Sequence, residues 1–283
     1  LIYCVNVYFT ETELFKKRRI FGIIKLLITA EGKMAICART IKEGINAKDT
    51  DVVCLAVVDS TNNEAKRWIE GGFKGSALIA AERQTAGRGR QGKSFFSGCP
   101  EGIYMTAVLP ITPKDPAAVT IAAAVAAAKA AEEVAGVYPR LKWVNDIFWG
   151  GKKAGGILCE AKDGFIIVGI GINCEASEKA FPHELRGIAG GLPLNGAARE
   201  RIISEIYNNL RYYLDADFSK TIEEYRARST MGGKTVRFLR NGEFITAFVK
   251  GIGDDGALIV ETGDGETERL TSGEVVIVEN LYG

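Results

Sequence analysis

Three strand-like runs joined by tight turns constrain this chain more than any other feature. Arg140-Leu-Lys-Trp-Val-Asn-Asp-Ile-Phe-Trp149 reads as one strand, turned by Gly150-Gly151. Lys153-Ala-Gly-Gly-Ile-Leu-Cys-Glu160 returns, Lys162-Asp-Gly164 turns again, and Phe165-Ile-Ile-Val-Gly-Ile-Gly-Ile-Asn173 forms the third. Strands joined so closely must be antiparallel, because a parallel pair needs a crossover of roughly a dozen residues. The middle of the chain is therefore a meander and not a βαβ array.

The flanks supply more strands and several helices. Asp51–Val58 is a continuous apolar run of high β-propensity, so a buried strand, and it ends in the cap-forming cluster Asp59-Ser-Thr-Asn62. A helix from Asn63 to Glu70 follows, stopped by Gly71-Gly72. Ser60 and Thr61 serve either as caps or as hydroxyls facing a ligand at a strand-to-helix junction. Ser76–Ala81 and Gly102–Leu109 read as strands. Asp115-Pro116 opens an alanine-rich helix, Ala117–Ala135, whose small side chains on all faces suit close packing on a sheet. Ile202, Ile206, Leu210 and Leu214 mark an amphipathic helix over Ala197–Leu214, and Ser219 is read as the cap of another reaching about Arg228.

From Lys234 the texture changes to short apolar runs (Val236–Leu239, Phe244–Val249, Ala257–Val260, Val275–Val278) separated by Gly-containing turns, the pattern of a small all-β unit. The 283 residues are accordingly expected to form an α+β fold with a mixed, largely antiparallel sheet over residues 34–230 and a small β domain over 231–283. Residues 1–33 are an extension of doubtful structure. Their apolar run Phe21–Ile28 is too short to span a bilayer, and no small-residue cleavage site follows Lys16-Lys-Arg-Arg19. Met34 is read as the native start and the preceding residues as translated upstream sequence or a dispensable extension.

The chemistry concentrates in Thr85-Ala-Gly-Arg-Gly-Arg-Gln-Gly-Lys-Ser94, where three glycines, two arginines and a lysine share ten residues. Gly87–Ser94 also spells a P-loop, but five residues separate it from the preceding strand, Gly98 and Pro100 prevent a following helix, and no apolar strand ending in Asp appears downstream to hold magnesium. A basic loop in solvent, or a nucleic-acid patch, is the plain alternative; the strands on both sides and Phe95-Phe96 favour an anchored anion site. The net charge of +1 provides no overall field toward nucleic acid or membrane. The six cysteines form no C-x-x-C pair and read as free thiols of a reducing compartment, with no zinc site. His183 is the one histidine and is read as surface, which leaves little room for Ser-His-Asp or Cys-His chemistry. An enzyme of this composition works by binding and polarising its reactants.

Five motifs in order resemble the biotin protein ligase family. Asp59-Ser-Thr-Asn62 matches its D-S-T-N entry, and Gln84-Thr-Ala-Gly-Arg-Gly-Arg-Gln-Gly-Lys93 its glycine-arginine loop. Lys142-Trp-Val-Asn-Asp146 looks like K-W-P-N-D, Lys153-Ala-Gly-Gly-Ile-Leu158 like K-x-x-G-I-L, and Gly169-Ile-Gly-Ile-Asn173 like G-x-G-I-N. The resemblance covers about residues 45–283. It implies a class II synthetase-like catalytic domain, a C-terminal SH3-like barrel, and formation of biotinyl-5′-AMP from biotin and ATP with Mg2+, followed by transfer to a lysine of a biotin carboxyl carrier domain.

It further implies that Lys153, Arg90 and Asp146 are catalytic: Arg90 on phosphate, Lys153 between the biotin carboxylate and the α-phosphate, and Asp146 with Asn145 organising magnesium or adenylate, or else making turn hydrogen bonds. Ser60, Thr61 and Gln84 would hold the ureido ring. Asn62, Gly87, Arg88, Gly89, Gly156, Gly171 and Asn173 complete the ligand contacts, with Lys142 and Trp143 behind them. Gly155, Gly156, Gly169 and Gly171 would let a flat ligand lie against the backbone. Magnesium is expected on ATP, near Asp146, and not in a fixed protein site.

The family's usual R-G-R is Gln91-Gly92-Lys93 here, so weaker adenylate retention is expected, since lysine lacks the bidentate fork. Val144 replaces the motif's proline. A cytoplasmic ligase is expected, without DNA or membrane as partner and compatible with a homodimer. Lipoate–protein ligase chemistry is the rival enzymatic reading; a P-loop nucleotide binder and a non-catalytic nucleic-acid-binding protein are the others.

Overall fold

The computed structural model describes residues 36–111 and 115–278, together with the strand β1 (Val7–Tyr8). The expectations for Met34 and for the rest of residues 1–33 lie outside the described residues. β1 pairs antiparallel with β2 (Asp51–Val58), Val7 opposite Val53.

β2 is buried at Val52, Val53, Cys54 and Val58, while Val57 is exposed, so the buried strand read from its apolar run is buried only in part. α2 (Thr61–Glu70) crosses from it to β3 (Ala77–Gln84), which lies parallel to β2 with Asp51 opposite Ala77. β4 (Ile103–Leu109), β5 (Arg140–Lys142), β6 (Asp146–Trp149), β7 (Lys152–Lys162) and β8 (Phe165–Ile172) complete an eight-stranded sheet ordered β1-β2-β3-β4-β8-β7-β6-β5, antiparallel after β3. The expected meander is present with one change. The strand read over Arg140–Trp149 is two, broken at Trp143-Val144-Asn145, so this motif is a turn at one end of a hairpin. The Trp143–Val144 peptide is cis.

Strand alternation divides the core between the two faces. One face of β2, β3, β4 and β8 (Val53, Ile79, Val108, Ile167) packs on Ala65, Trp68 and Ile69 of α2. The other carries α1 (Ala38–Gly44), α3 (Pro116–Ala135), α4 (Arg199–Asp215) and α5 (Phe218–Arg228). In α3, 12 of 20 residues are buried, so alanine on every side is what lets α4 and the sheet close on the same helix. Asp115 caps it, accepting from Ala117 N at 2.8 Å, and Gly136 ends it at φ 67°. α4 buries Ile202, Ile206 and Leu210, the stripe its spacing predicts. The cap of α5 is Asp217, which accepts from Ser219 N at 2.9 Å; Ser219 supplies only the capped amide.

The second sheet contains β9 (Thr235–Arg240), β10 (Glu243–Ile252), β11 (Leu258–Thr262), β12 (Thr267–Leu270) and β13 (Val275–Ile277), all antiparallel, in the order β12-β11-β10-β9-β13. Val236, Val249, Leu258 and Val260 form its interior. β12 was not legible as an apolar run: Thr-Glu-Arg-Leu sits at an edge and needs no buried face. This sheet meets the first one at the Gly253–Ala257 turn. Trp143 Nε1 donates to Gly256 O at 2.9 Å, and a Cβ on Gly256 would lie 2.3 Å from Ile121 of α3. Among the described residues no helix is long and apolar enough to cross a membrane.

Candidate active site

The loop after β3 is a β-hairpin. Phe95 N donates to Gly87 O at 2.8 Å and Gly89 N to Lys93 O at 2.7 Å, and Lys93 N closes the tip on Arg90 O at 3.1 Å. Gln91 (φ 53°, ψ 35°) and Gly92 (φ 74°) are both left-handed, the geometry of a type I′ turn, whose twist matches that of its strands. The P-loop spelling therefore opens no helix. Gly92 serves the turn, and Gly87 serves a close approach, since a Cβ there would stand 2.4 Å from Phe95 O.

The hairpin covers a cleft of about 170 Å³. Its floor is the end of β2 and the start of α2, the glycine-rich parts of β7 and β8, and Met105. Ser60 is at the N-cap position of α2 and makes no side-chain cap bond, so its hydroxyl is not committed to the helix. Asp59 takes the structural task instead: Arg67 NH2 donates at 2.6 Å and Asn63 Nδ2 at 2.8 Å, and the guanidinium holds its carboxyl well below the usual carboxylate range against the cost of burial. Gln84 Oε1 accepts from Thr61 N at 2.8 Å and Thr61 Oγ1 at 3.1 Å, while its Nε2 donates to Ser97 Oγ at 2.8 Å. Thr106 Oγ1 lies 2.7 Å from Asn62 Oδ1 and 2.8 Å from Thr61 Oγ1. These bonds fix the floor before any ligand arrives.

Three of the four glycines expected to admit a flat ligand instead admit parts of this chain. A Cβ on Gly169 would meet Asn62 Oδ1 at 2.2 Å, one on Gly171 the Phe95 ring at 2.5 Å, and one on Gly155 the Gly171 carbonyl at 2.6 Å. Gly156 alone of the four keeps its space, with the nearest atoms of Lys153 and Phe95 at 3.6 Å.

Cations dominate the walls. Arg88, Arg90, Lys93, Lys142 and Lys153 line the cleft against two carboxylates, Asp146 and Glu274. Lys153 Nζ lies 2.6 Å from Asp146 Oδ1, across the β6–β7 pairing. Arg90 donates to the neutral Asn145 Oδ1 at 3.2 Å, and Asn145 is itself clipped to β7 by Nδ2 to Ile157 O at 3.1 Å. Lys93 Nζ sits 2.6 Å from both oxygens of Glu274, which directly precedes β13, so it ties the hairpin down from the far side. Arg88 NH1 donates to Glu160 Oε2 at 3.0 Å and Asn63 Oδ1 at 3.1 Å. Arg90 and Lys142 have no carboxylate within ion-pair distance among the described residues, and Arg90 is the better placed of the two for an incoming anion, at the hairpin tip.

The structure brings Ser60, Thr61, Asn62, Gln84, Arg88, Gly89, Arg90, Lys142, Trp143, Asn145, Asp146, Lys153, Gly156 and Gly171 around one cleft. Two expected members stand outside it. Gly87 is buried beneath the hairpin. Asn173 is 4% exposed and accepts from Tyr104 OH at 3.2 Å; it follows β8 past Gly171 and is covered by the Cys99–Tyr104 segment. Trp143 faces the cleft while its indole N–H donates to Gly256 O at the second sheet. Sequence reasoning took Phe95 only as an anchor of the loop and passed over Glu160 and Glu274. Phe95 was visible as an aromatic residue directly after the loop, and Glu160 as the carboxylate ending the Lys153 strand. Glu274 had no local signal, since its place depends on how the two sheets meet.

Residues 54–177 match the biotin/lipoate A/B protein ligase family and residues 231–278 the biotin protein ligase C-terminal domain. The bifunctional ligase/repressor BirA of Bacillus subtilis is 35% identical over 228 residues, covering 74% of this chain and 69% of that protein. The biotin–[acetyl-CoA-carboxylase] ligase of Mycobacterium tuberculosis is 29% identical, covering 82% and 90%. Biotin protein ligase from Aquifex aeolicus, solved with biotin and ATP, superposes with a TM-score of 0.68 at 26% identity, over 81% of this chain and 99% of that one. In sequence and in fold, from the β2–α2 junction to the second sheet, the chain belongs to the biotin protein ligase family.

Proposed function

We propose that this protein activates biotin with ATP to give biotinyl-5′-AMP and transfers the biotinyl group to a lysine of a biotin carboxyl carrier domain. The arrangement of Lys153 and Arg90 carries this reading: two cations converge on one cleft, one oriented by Asp146 and the other facing no carboxylate. The first step brings a carboxylate against a phosphate, two anions that repel. A carboxylate oxygen attacks the α-phosphorus and pyrophosphate leaves. Lys153 bridges the two groups and Arg90 holds phosphate, so charge is offset where it develops. In the second step a lysine amine attacks the acyl carbon, the acyl–phosphate bond breaks, and AMP leaves. Neither step needs a histidine.

Ser60, Thr61 and Gln84 form the polar end of the biotin site, with Trp143 and Phe95 as its apolar walls. Asp146, the carboxylate beside Lys153, would be the residue nearest a magnesium carried by ATP, which would there further neutralise phosphate charge. We assign catalysis to residues 34–230 and a share of the cleft rim to 231–283, through Gly273, Glu274 and Val275. We read the protein as a cytoplasmic ligase that acts on a carrier domain and on neither DNA nor membrane.

The test is incubation with ATP, labelled biotin and a carrier domain. Label should appear on the carrier, and Lys153→Ala should lower the rate by about a hundredfold or more, the scale for removing one preorganised charge-stabilising donor, while circular dichroism stays unchanged. Transfer of lipoate in place of biotin would overturn the assignment, and so would full activity in the Lys153→Ala variant.

A further inference from the structure

Glu160 stands behind the cleft, on β7 two residues beyond Leu158 of the floor, and its side chain is 20% exposed. Three donors converge on it. Lys66 Nζ lies 2.7 Å from Oε1, and Asn62 Nδ2 and Arg88 NH1 each lie 3.0 Å from Oε2. Lys66 and Asn62 are one turn apart on α2, so they present to one point in space. Arg88 comes from the hairpin. One carboxylate therefore joins a strand, a helix and the lid.

What it holds matters to the site. Asn62 is clamped at both ends of its amide: Nδ2 on Glu160 and on Leu158 O at 3.3 Å, Oδ1 on Thr106 and against Gly169. Arg88, expected on the adenylate, has its guanidinium on Glu160 and Asn63. The other side-chain ties of the hairpin are to neutral Asn145 and to exposed Glu274. The Glu160 tie is the least exposed of the ion pairs that seat the lid. Burial raises the carboxyl's pKa, but hydrogen bonds from Lys66 and Asn62 and the charges of Lys66 and Arg88 outweigh it, so the group stays ionised.

We propose that Glu160 is a positioning residue of the reaction: through Arg88 it seats the hairpin over the intermediate, and through Asn62 it sets the floor beneath. Arg88 then works as the latch of the lid, and the phosphate falls to Arg90. This rests on the cleft being the biotinyl-adenylate site.

The experiment compares wild type, Glu160→Gln, Arg88→Met and the double variant in the full chain. Single-turnover formation of labelled biotinyl-adenylate is read separately from its release into a chase of unlabelled biotin. Each single variant should release the intermediate about tenfold faster, E160Q with formation held within about threefold, and the double variant should be no worse than the worse single, as expected for two ends of one tie. Hydrogen exchange without ligand should show faster exchange over Thr85–Ser94 in E160Q with α3 unchanged. Release within twofold of wild type, multiplying effects in the double variant, or a hundredfold loss of formation in R88M would each overturn the proposal. If E160Q does not fold, R88M decides alone on the same criteria. Should wild type form no adenylate, the assigned function fails and the exchange result still decides whether Glu160 seats the hairpin.

Discussion

Glu160 shows what the identity of one residue settles and what it does not. Its type and strand were plain in the sequence, but its partners come from Asn62, Lys66 and Arg88, up to 98 positions away in the chain. Its folded pKa is lowered, so its ionised form is stabilised by folding. That contribution is full above the ordinary glutamate value of about 4.3 and is lost as pH falls through the lower folded value. The stability advantage of wild type over Glu160→Gln should therefore shrink as acid is added below about pH 4, in denaturation curves measured at a series of pH values. An advantage that grows in acid would contradict the assigned contacts. The glycines teach a related lesson. Gly169 and Gly171 were legible as positions needing space, yet the occupants, Asn62 and Phe95, are fixed by tertiary packing that no local pattern encodes.

At the scale of elements, most of the large sheet could be read from the chain. β2, β4, β7, β8 and α3 announce themselves by apolar runs, short turns and a Pro/Gly-bounded helix; for β4, β8 and α3 burial on both sides leaves the strong signal. Misreadings fell where polar residues decide. The Trp143–Asn145 turn interrupts a stretch that alternates apolar and polar residues like one strand, and the edge strand β12 has no apolar stretch at all. The lid hairpin is the clearest instance: its glycines were read for anion binding, and the structure uses Gly92 for a turn of positive φ. Gly92→Ala should cost about 1 kcal/mol of local stability, since a Cβ is disfavoured in the left-handed region. The expected outcome is faster release of the intermediate with unchanged formation, together with a small loss of overall thermal stability in calorimetry. Unchanged release would mean the turn does not govern the lid.

The whole molecule has its cleft between two sheets, and the second one reaches it by Trp143–Gly256 and Lys93–Glu274. Trp143→Phe keeps the aromatic wall but removes the indole donor, leaving Gly256 O without its buried partner at roughly 1–3 kcal/mol. Denaturation should show that loss, and the KM for ATP should rise because Glu274 and the lid shift with the second sheet. A KM equal to wild type would place the second sheet outside the working site. That relation was the least legible part of the sequence: the β texture after Lys234 marked a separate unit, and nothing local marked where it leans.

The Lys93–Glu274 pair has one more consequence. It is an exposed pair, so salt screens it well before either sheet melts. In concentrated salt the enzyme should first become leaky, spilling activated biotin into water where it hydrolyses, while ATP continues to be consumed. Wasted turnover would precede lost turnover.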